Sequence, residues 1–324
     1  DYMPAPKSTY ANVFVDGVLI GLYTCVQSID RDFTNEHFYE RNGPFFKVEN
    51  TNTIVSGCPT GQLGVLEHYL DTNCYVRAYD MESSEDWTDL GDFLDTLNNH
   101  FMYIENVMDI DRTLWMMAYE NLIVALDGPI NSIPQNFYLF KDNNGRFSPL
   151  IWDMKESFGA FTDGLSAPFQ NSDLIELDVF HEILNNQNNL TSKVFSSDRY
   201  KRMYIAHLRT MLNEKFLNNN YKNLALSLQQ EIDTQVSSDP NVFYSYSEFI
   251  SNLDNSVGST IGISELMNNR VAYLQALPEL IASPPTISTN MNLSTNVLPF
   301  TSLDITATFT NSTYAYMGYR YKFA

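Results

Sequence analysis

The sequence predicts an α+β fold: antiparallel sheet toward the N-terminal side, helices after it, and a short β-rich stretch at the C-terminal end. Three observations carry this. Residues 10–26 alternate in polarity around Asp16-Gly17, a residue pair suited to a tight hairpin. Residues 137–152 form a second pair of strand-like runs around Asp142-Asn-Asn-Gly145. From Trp87 onward, apolar residues recur every three or four positions in several long stretches, the period of an amphipathic helix.

In order along the chain, Val13 and Phe14 face opposite sides of the first hairpin, as do Leu22 and Tyr23. Phe45-Phe-Lys-Val48 reads as a further strand. Residues 50–84 are polar and turn-rich, and Tyr75 to Tyr79 has the composition of another strand. Trp87 to Asn98 is helical, with Leu90, Phe93, Leu94 and Leu97 on one apolar face. Asp109-Ile-Asp111 opens the next helix, with Asp111 as a cap. Leu114, Trp115, Ala118, Tyr119, Leu122 and Ile123 then recur at helical spacing, and the helix is expected to run to Leu126. Asp127-Gly128-Pro129 stops it with turn chemistry. Phe137–Phe140 and Phe147–Trp152 are the strands of the second hairpin, and Asp153 leaves the return strand just before a glycine-bounded bend. Residues 160–173 have no apolar period and read as a loop at the rim of a site.

The helices expected next are Leu174–Leu184, Asp198–Phe216, Tyr221–Gln235, Tyr246–Val257 and Ile263–Ile281, the last ended by Pro284-Pro285. His207 lies among Tyr204, Leu208 and Met211 at helical spacing and reads as a core-edge histidine. Arg270 reads as a structural arginine, buried in an ion pair or closing a cleft. Beyond Pro285 the composition turns to Ser, Thr and Asn, and Asp304–Phe309 and Tyr314–Phe323 alternate like strands. This tail is too short for a whole β-sandwich and reads as the start of an appended module or a short docked sheet. The expected division is therefore 1–283 for the main domain and 284–324 for a β-rich segment.

Bulk properties narrow the function. A formal net charge of −20 repels the phosphate backbone of nucleic acid and anionic membrane surfaces. No run of apolar residues is long enough to span a bilayer. Of three cysteines, Cys58 and Cys74 lie in a turn-rich region and can pair, while Cys25 sits in an apolar strand and is expected as a buried thiol. No pair of histidines has zinc-ligand spacing.

The stretch that bears chemistry runs from Asn121 to Gly159. Phosphoryl transfer needs a carboxylate at the acceptor hydroxyl, and carboxylate or amide oxygens to hold a divalent metal on the nucleotide. Protein kinases place a loop Asp, a metal-binding Asn, a short hairpin and a second Asp in that order. Asp127, Asn136 and Asp153 follow the same order here, with a hairpin between the last two. The same residues also fit a capped helix followed by an ordinary hairpin. Lys47 is the candidate phosphate-contacting lysine; an exposed strand lysine is the alternative.

A resemblance to a known family sharpens this. Asp127, Asn136-Phe-Tyr-Leu-Phe140 and Ile151-Trp-Asp153-Met-Lys-Glu-Ser-Phe-Gly159 resemble the characteristic run of the CotH family, the spore-coat-protein-H-like atypical kinases. Asn12-Val-Phe-Val-Asp-Gly17 through Gly21-Leu-Tyr23, Ile29-Asp30 through Phe33, Phe46-Lys47, and Ile261-Gly-Ile through Arg270 are similar to further family segments in the same order. The resemblance covers roughly residues 3–283. It implies a kinase-like sheet lobe and helical lobe, with part of the sheet lobe preceding Asp1. ATP and Mg²⁺, with Mn²⁺ as an alternative, are the implied cofactors, and a protein with Ser/Thr acceptors is the implied substrate. In that scheme Asp127 is the catalytic acid/base, Asn136 and Asp153 are metal ligands, and Lys47 contacts phosphate.

Three positions depart from the family pattern. Gln27 and Lys155 stand where family members carry acids, and Glu82 stands where they carry a lysine. The departures keep open a second expectation: a catalytically degenerate, pseudokinase-like module with an extracellular protein partner. Either way an extracellular or cell-surface location is expected.

Overall fold

The computed structural model describes residues 3–49, 51, 53–59, 66–83, 86–132, 134–163, 167–182, 188–283, 285–289 and 307–311. It is α+β. The chain divides into two compact units, Asp1–Gln275 and Ala276–Ala324.

In the first unit, β1 (Ser8–Val15) and β2 (Val18–Val26) form a two-stranded antiparallel ribbon. Its two-residue turn is Asp16-Gly17, both at positive φ, as a hairpin turn twisted to match its strands requires. A four-stranded antiparallel sheet follows in the order β4-β3-β5-β6, from β3 (Phe45–Val48), β4 (Tyr79–Met81), β5 (Phe137–Lys141) and β6 (Phe147–Ile151). Lys47 pairs with Asp80 on one side and Tyr138 on the other, and Tyr138 with Leu150.

Both faces of this sheet are covered. On one, Phe45, Tyr138, Phe140 and Leu150 pack with Ile29 and Phe33, the latter on α1 (Arg31–Phe38). On the other, Phe46 stacks on Trp87, and Phe147 meets Phe93 of α2 (Thr88–Asn99). Burial on both sides explains why β5 is an unbroken aromatic and aliphatic run from Phe137 to Phe140 rather than alternating. The helix α1 was not legible in the periodicity; Asp30 starts it by accepting the Asp32 and Phe33 N–H groups.

The remaining helices are α3 (Ile110–Leu122), α4 (Asn171–Ile175), α5 (Asn189–Val194), α6 (Asp198–Met211), α7 (Asn220–Ser238), α8 (Tyr246–Ser251) and α9 (Ile263–Ala276). In the second unit, α10 (Pro278–Ile281) precedes β7 (Thr286–Thr289), which pairs antiparallel with β8 (Ala307–Thr310). Among the described residues, no helix is long and apolar enough to cross a membrane.

Several expectations change. Tyr75 belongs to a 3-10 segment, Thr72–Arg77, and only Tyr79–Met81 is strand. The cap of α3 is Asp109, whose side chain accepts the Arg112 N–H, while Asp111 instead meets His207 Nε2 at 2.8 Å. That helix stops at Leu122, not Leu126, because Val124 turns left-handed at φ 54°. Of the expected helix at 174–184, the described residues, up to 182, hold only the end of α4, which stops at Ile175. The expected helix 246–257 ends at Ser251, and 263–281 is broken in two before Pro278, which lacks the N–H a continuing helix needs. Cys25 is exposed rather than buried, because the ribbon that carries it has open faces. Cys58 and Cys74 form a disulfide. Residues 304–306 of the expected strand at 304–309 and all of 314–323 lie outside the described residues, while 307–309 are strand, in β8. His207 is a core-edge residue, stacked on Trp115 with ring centroids 3.9 Å apart.

Candidate active site

The site is built where α3 ends. Arg270 of α9 is fully buried and clamps the last turn of α3. Its guanidinium donates to the Leu122 and Asn121 carbonyls, to Asn121 Oδ1, and to the carbonyls of Ile175 and Leu177, at 2.7–3.2 Å. All five bonds end on neutral oxygens, and among the described residues no acid pairs with it; burial pulls its pKa down to about 10.

Beyond the clamp the backbone leaves the helix abruptly. Val124 sits at φ 54°, a costly conformation for a β-branched residue. Two hydrogen bonds then hold this backbone against the segment after Asp153: Phe158 N–H to the Ile123 carbonyl (2.8 Å) and Gly159 N–H to the Val124 carbonyl (3.1 Å). These bonds bring the two acid-bearing loops side by side. Buried Asn188 secures the far end, donating to the carbonyls of Pro129 (2.8 Å) and Asn131 (2.6 Å) while capping α5.

Within this frame Asp127 is half-buried, and each oxygen of its carboxylate accepts one hydrogen bond. Gln135 Nε2 donates to Oδ1 at 2.5 Å, and Asn136 Nδ2 to Oδ2 at 2.9 Å and to the Asp127 carbonyl at 2.7 Å. Asn136 reaches back because its own backbone is left-handed, at φ 59°, immediately before β5. Asp153 is also left-handed, at φ 50°, and Lys155 Nζ meets its Oδ2 at 2.6 Å. Four non-glycine residues around this point, Val124, Asn136, Asp153 and Phe158, thus have positive φ.

The charges of these groups act on one another. Burial raises the Asp127 pKa; Gln135, the Lys155 ammonium and Asn136 oppose that rise, and the Asp153 charge adds to it. Burial also raises the Glu156 pKa, helped by Asp127 and Asp153 and opposed by Lys155. Asp127, Asp153, Lys155 and Glu156 therefore feel one another's fields. Glu156 was not singled out in the sequence; its only signal was its place three residues after Asp153.

Lys47 is positioned differently. It pairs with Glu49, just past the end of its strand, and Asp80 lies opposite it in β4. Burial and the neighbouring Asp80 charge raise the Glu82 pKa, against the pull of Lys47. By strand register Glu49 lies next to Asn136, so this cluster borders the Asp127 group without joining its ion pairs. Gln27 stands apart from both, hydrogen-bonded to the Lys7 N–H and to Glu36.

Two oxygens here are of the kind a hard divalent cation binds. Asn136 Oδ1 and Asp153 Oδ1 accept no hydrogen bond among the described residues, and carboxylate and amide oxygens are the ligands Mg²⁺ and Mn²⁺ favour. One cavity, about 220 Å³, is bordered by Gly43, Asp89 and Lys141, at the opposite end of β5 from Asn136.

Comparison with curated proteins gives no match. A sequence model described as "CotH kinase protein" matches residues 2–274, most of the chain and all of the residues just described. On that match, the chain belongs to the CotH kinase family.

Proposed function

We propose that this chain is a CotH-type protein kinase that transfers the γ-phosphate of ATP to a Ser or Thr hydroxyl of a protein. The observation that supports this most is that Asn136 donates to the Asp127 carboxylate, while Asp153 follows a strand paired with the one after Asn136 and its charge acts on Asp127. Asp127 orients the acceptor hydroxyl and takes its proton. Gln135 and Asn136 fix the carboxylate so that one geometry is presented, which is where most of the rate advantage of such a site arises. The raised pKa of Asp127 makes it a better proton acceptor than a solvated carboxylate. Asn136 and Asp153 would hold Mg²⁺ or Mn²⁺ through the oxygens that carry no other bond. When bound, the cation would neutralise phosphate charge. Lys47 contacts phosphate from the neighbouring strand, with Glu49 as its orienting partner.

A second reading rests on Lys155. Its ammonium occupies one oxygen of Asp153, the proposed metal ligand, as in a degenerate kinase that serves as an extracellular binding module. The Cys58–Cys74 disulfide favours an oxidising compartment, and so an extracellular or cell-surface location, under either reading.

The test is nucleotide binding followed by transfer. ATP with Mg²⁺ or Mn²⁺ should raise the melting temperature. Radiolabel from γ-labelled ATP should pass to a Ser/Thr-rich protein, and Asp127→Ala should lower kcat by roughly 10²–10⁴-fold. A thermal shift without transfer selects the binding-module reading. Transfer by Asp127→Ala at the wild-type rate removes Asp127 from the mechanism.

A further inference from the structure

Glu120, on α3, is used by nothing described so far. It is completely buried, and neither carboxylate oxygen meets a donor in good hydrogen-bonding geometry among the described residues. The Ile130 N–H lies near enough to favour the charged form, but burial outweighs it and holds the carboxyl well above the usual carboxylate range. Tyr119 is the titratable neighbour whose own pKa is pushed up by Glu120, after burial as the larger cause.

Its neighbour is the loop that bears Asp127. A methyl group on Gly128 would lie 2.9 Å from Glu120 Oε2 and 3.1 Å from its Cδ and Oε1. Those separations are too short for any residue but glycine without movement of the loop or the acid. The Glu120 carbonyl also accepts the Ala125 N–H at 2.9 Å. Backbone and side chain of one residue thus support both ends of the Ala125–Gly128 turn.

We propose that Glu120 is a positioning residue for Asp127: its carboxyl is the floor on which Gly128 rests, and it sets where the Asp127 side chain meets Gln135 and Asn136. The inference rests on the Asp127 assignment for its functional meaning, but its geometry can be tested independently.

The experiment uses the whole chain with selective ¹⁵N labelling of Asn and Gln side chains. The amide resonances of Gln135 and Asn136, assigned by substitution, report their hydrogen bonds to Asp127. Glu120→Gln, neutral and of equal volume, keeps both resonances in place. Glu120→Ala moves them, as does Gly128→Ala, which presses on the same carboxyl from the loop side. The double variant Glu120→Ala with Gly128→Ala returns them toward the wild-type positions, because the added methyl enters the vacated space. In transfer assays Glu120→Ala lowers kcat by roughly 10–100-fold with KM for ATP little changed.

Resonances unmoved in folded Glu120→Ala, or moved as far by Glu120→Gln, overturn the proposal. If Glu120→Ala does not fold, Gly128→Ala decides alone: moved resonances support the floor and unmoved ones overturn it. Moved resonances in a protein that transfers no phosphate would defeat the kinase reading and leave this one standing.

Discussion

At the scale of single residues, the site combines two unusual carboxyls and one unusual lysine. Glu120 has a folded-state pKa above its unfolded value, so the folded state holds the proton more tightly. Its contribution to stability is then fully present below about pH 4.3, the ordinary glutamate value, and is lost as pH rises toward the folded pKa. Glu120→Gln should remove that downward slope, and unfolding free energies of both proteins from pH 4 to 8 would show it; parallel curves would mean Glu120 is ionised in the fold. Lys155 holds Asp153 from two residues away and is itself largely exposed, so the ion pair adds little stability. What it changes is the local charge. Lys155→Asp should raise the affinity for Mn²⁺, with or without nucleotide, while leaving the melting temperature within a degree or two. Titration of Mn²⁺ followed by its electron paramagnetic resonance signal measures this directly; an unchanged affinity would take Asp153 out of the metal site.

Among elements, the decisive contact is between α9 and the end of α3. Arg270 satisfies four carbonyls and one side-chain oxygen in a dry interior. Arg270→Ala strands those acceptors, and a loss of roughly 3–5 kcal/mol is expected, comparable to removing one partner from a buried charged network. Arg270→Lys cannot reproduce the planar five-bond fork and should recover only part of that, as urea unfolding would report. A second element contact ties the β1–β2 ribbon to the turn after α7. Asp239 Oδ2 accepts the Leu22 N–H at 2.8 Å and Asn241 Nδ2 donates to the Ile20 carbonyl at 2.5 Å. Gly21 allows this approach, since a methyl there would lie 2.8 Å from Asp239 Oδ1. Gly21→Ala should release the ribbon, seen as faster hydrogen exchange of the Leu22 amide with exchange in β5 unchanged; protection retained at Leu22 would show the clasp tolerates the extra carbon.

At the scale of the whole molecule, the Cys58–Cys74 disulfide closes a loop of sequence separation 16 in the turn-rich stretch before β4. Reduction should cost about 3 kcal/mol by the loop-closure argument, measured as a lower denaturation midpoint in reductant. An unchanged midpoint would mean that the stretch is held by its packing alone. The acidity of the chain belongs to this scale too: a net charge of −20 explains why local cations, Lys155 and Lys47, matter at a site proposed for an anionic nucleotide. Much of this was legible in the residues. The two hairpins announce themselves through Asp16-Gly17 and Asp142-Asn-Asn-Gly145, because tight turns need those residue types locally. The order of Asp127, Asn136 and Asp153 was readable for a similar reason, as each is delivered by a neighbouring turn. The true end of α3 was not readable, since Ile123 and Val124 keep the apolar period and only packing against Phe158 and Gly159 turns the chain away. Nor was the exposure of Cys25, which depends on what covers a ribbon, or the burial of Glu120, which depends on a glycine eight residues on. The sequence by itself therefore determined the α+β class and most of the elements, because these follow from short-range spacing, and it put forward Asp127 and Asp153 as candidate acids. The tertiary structure alone decided which of those acids meet, which lysine faces them and which carboxyl is kept dry, because burial and convergence arise only when distant segments share one interior.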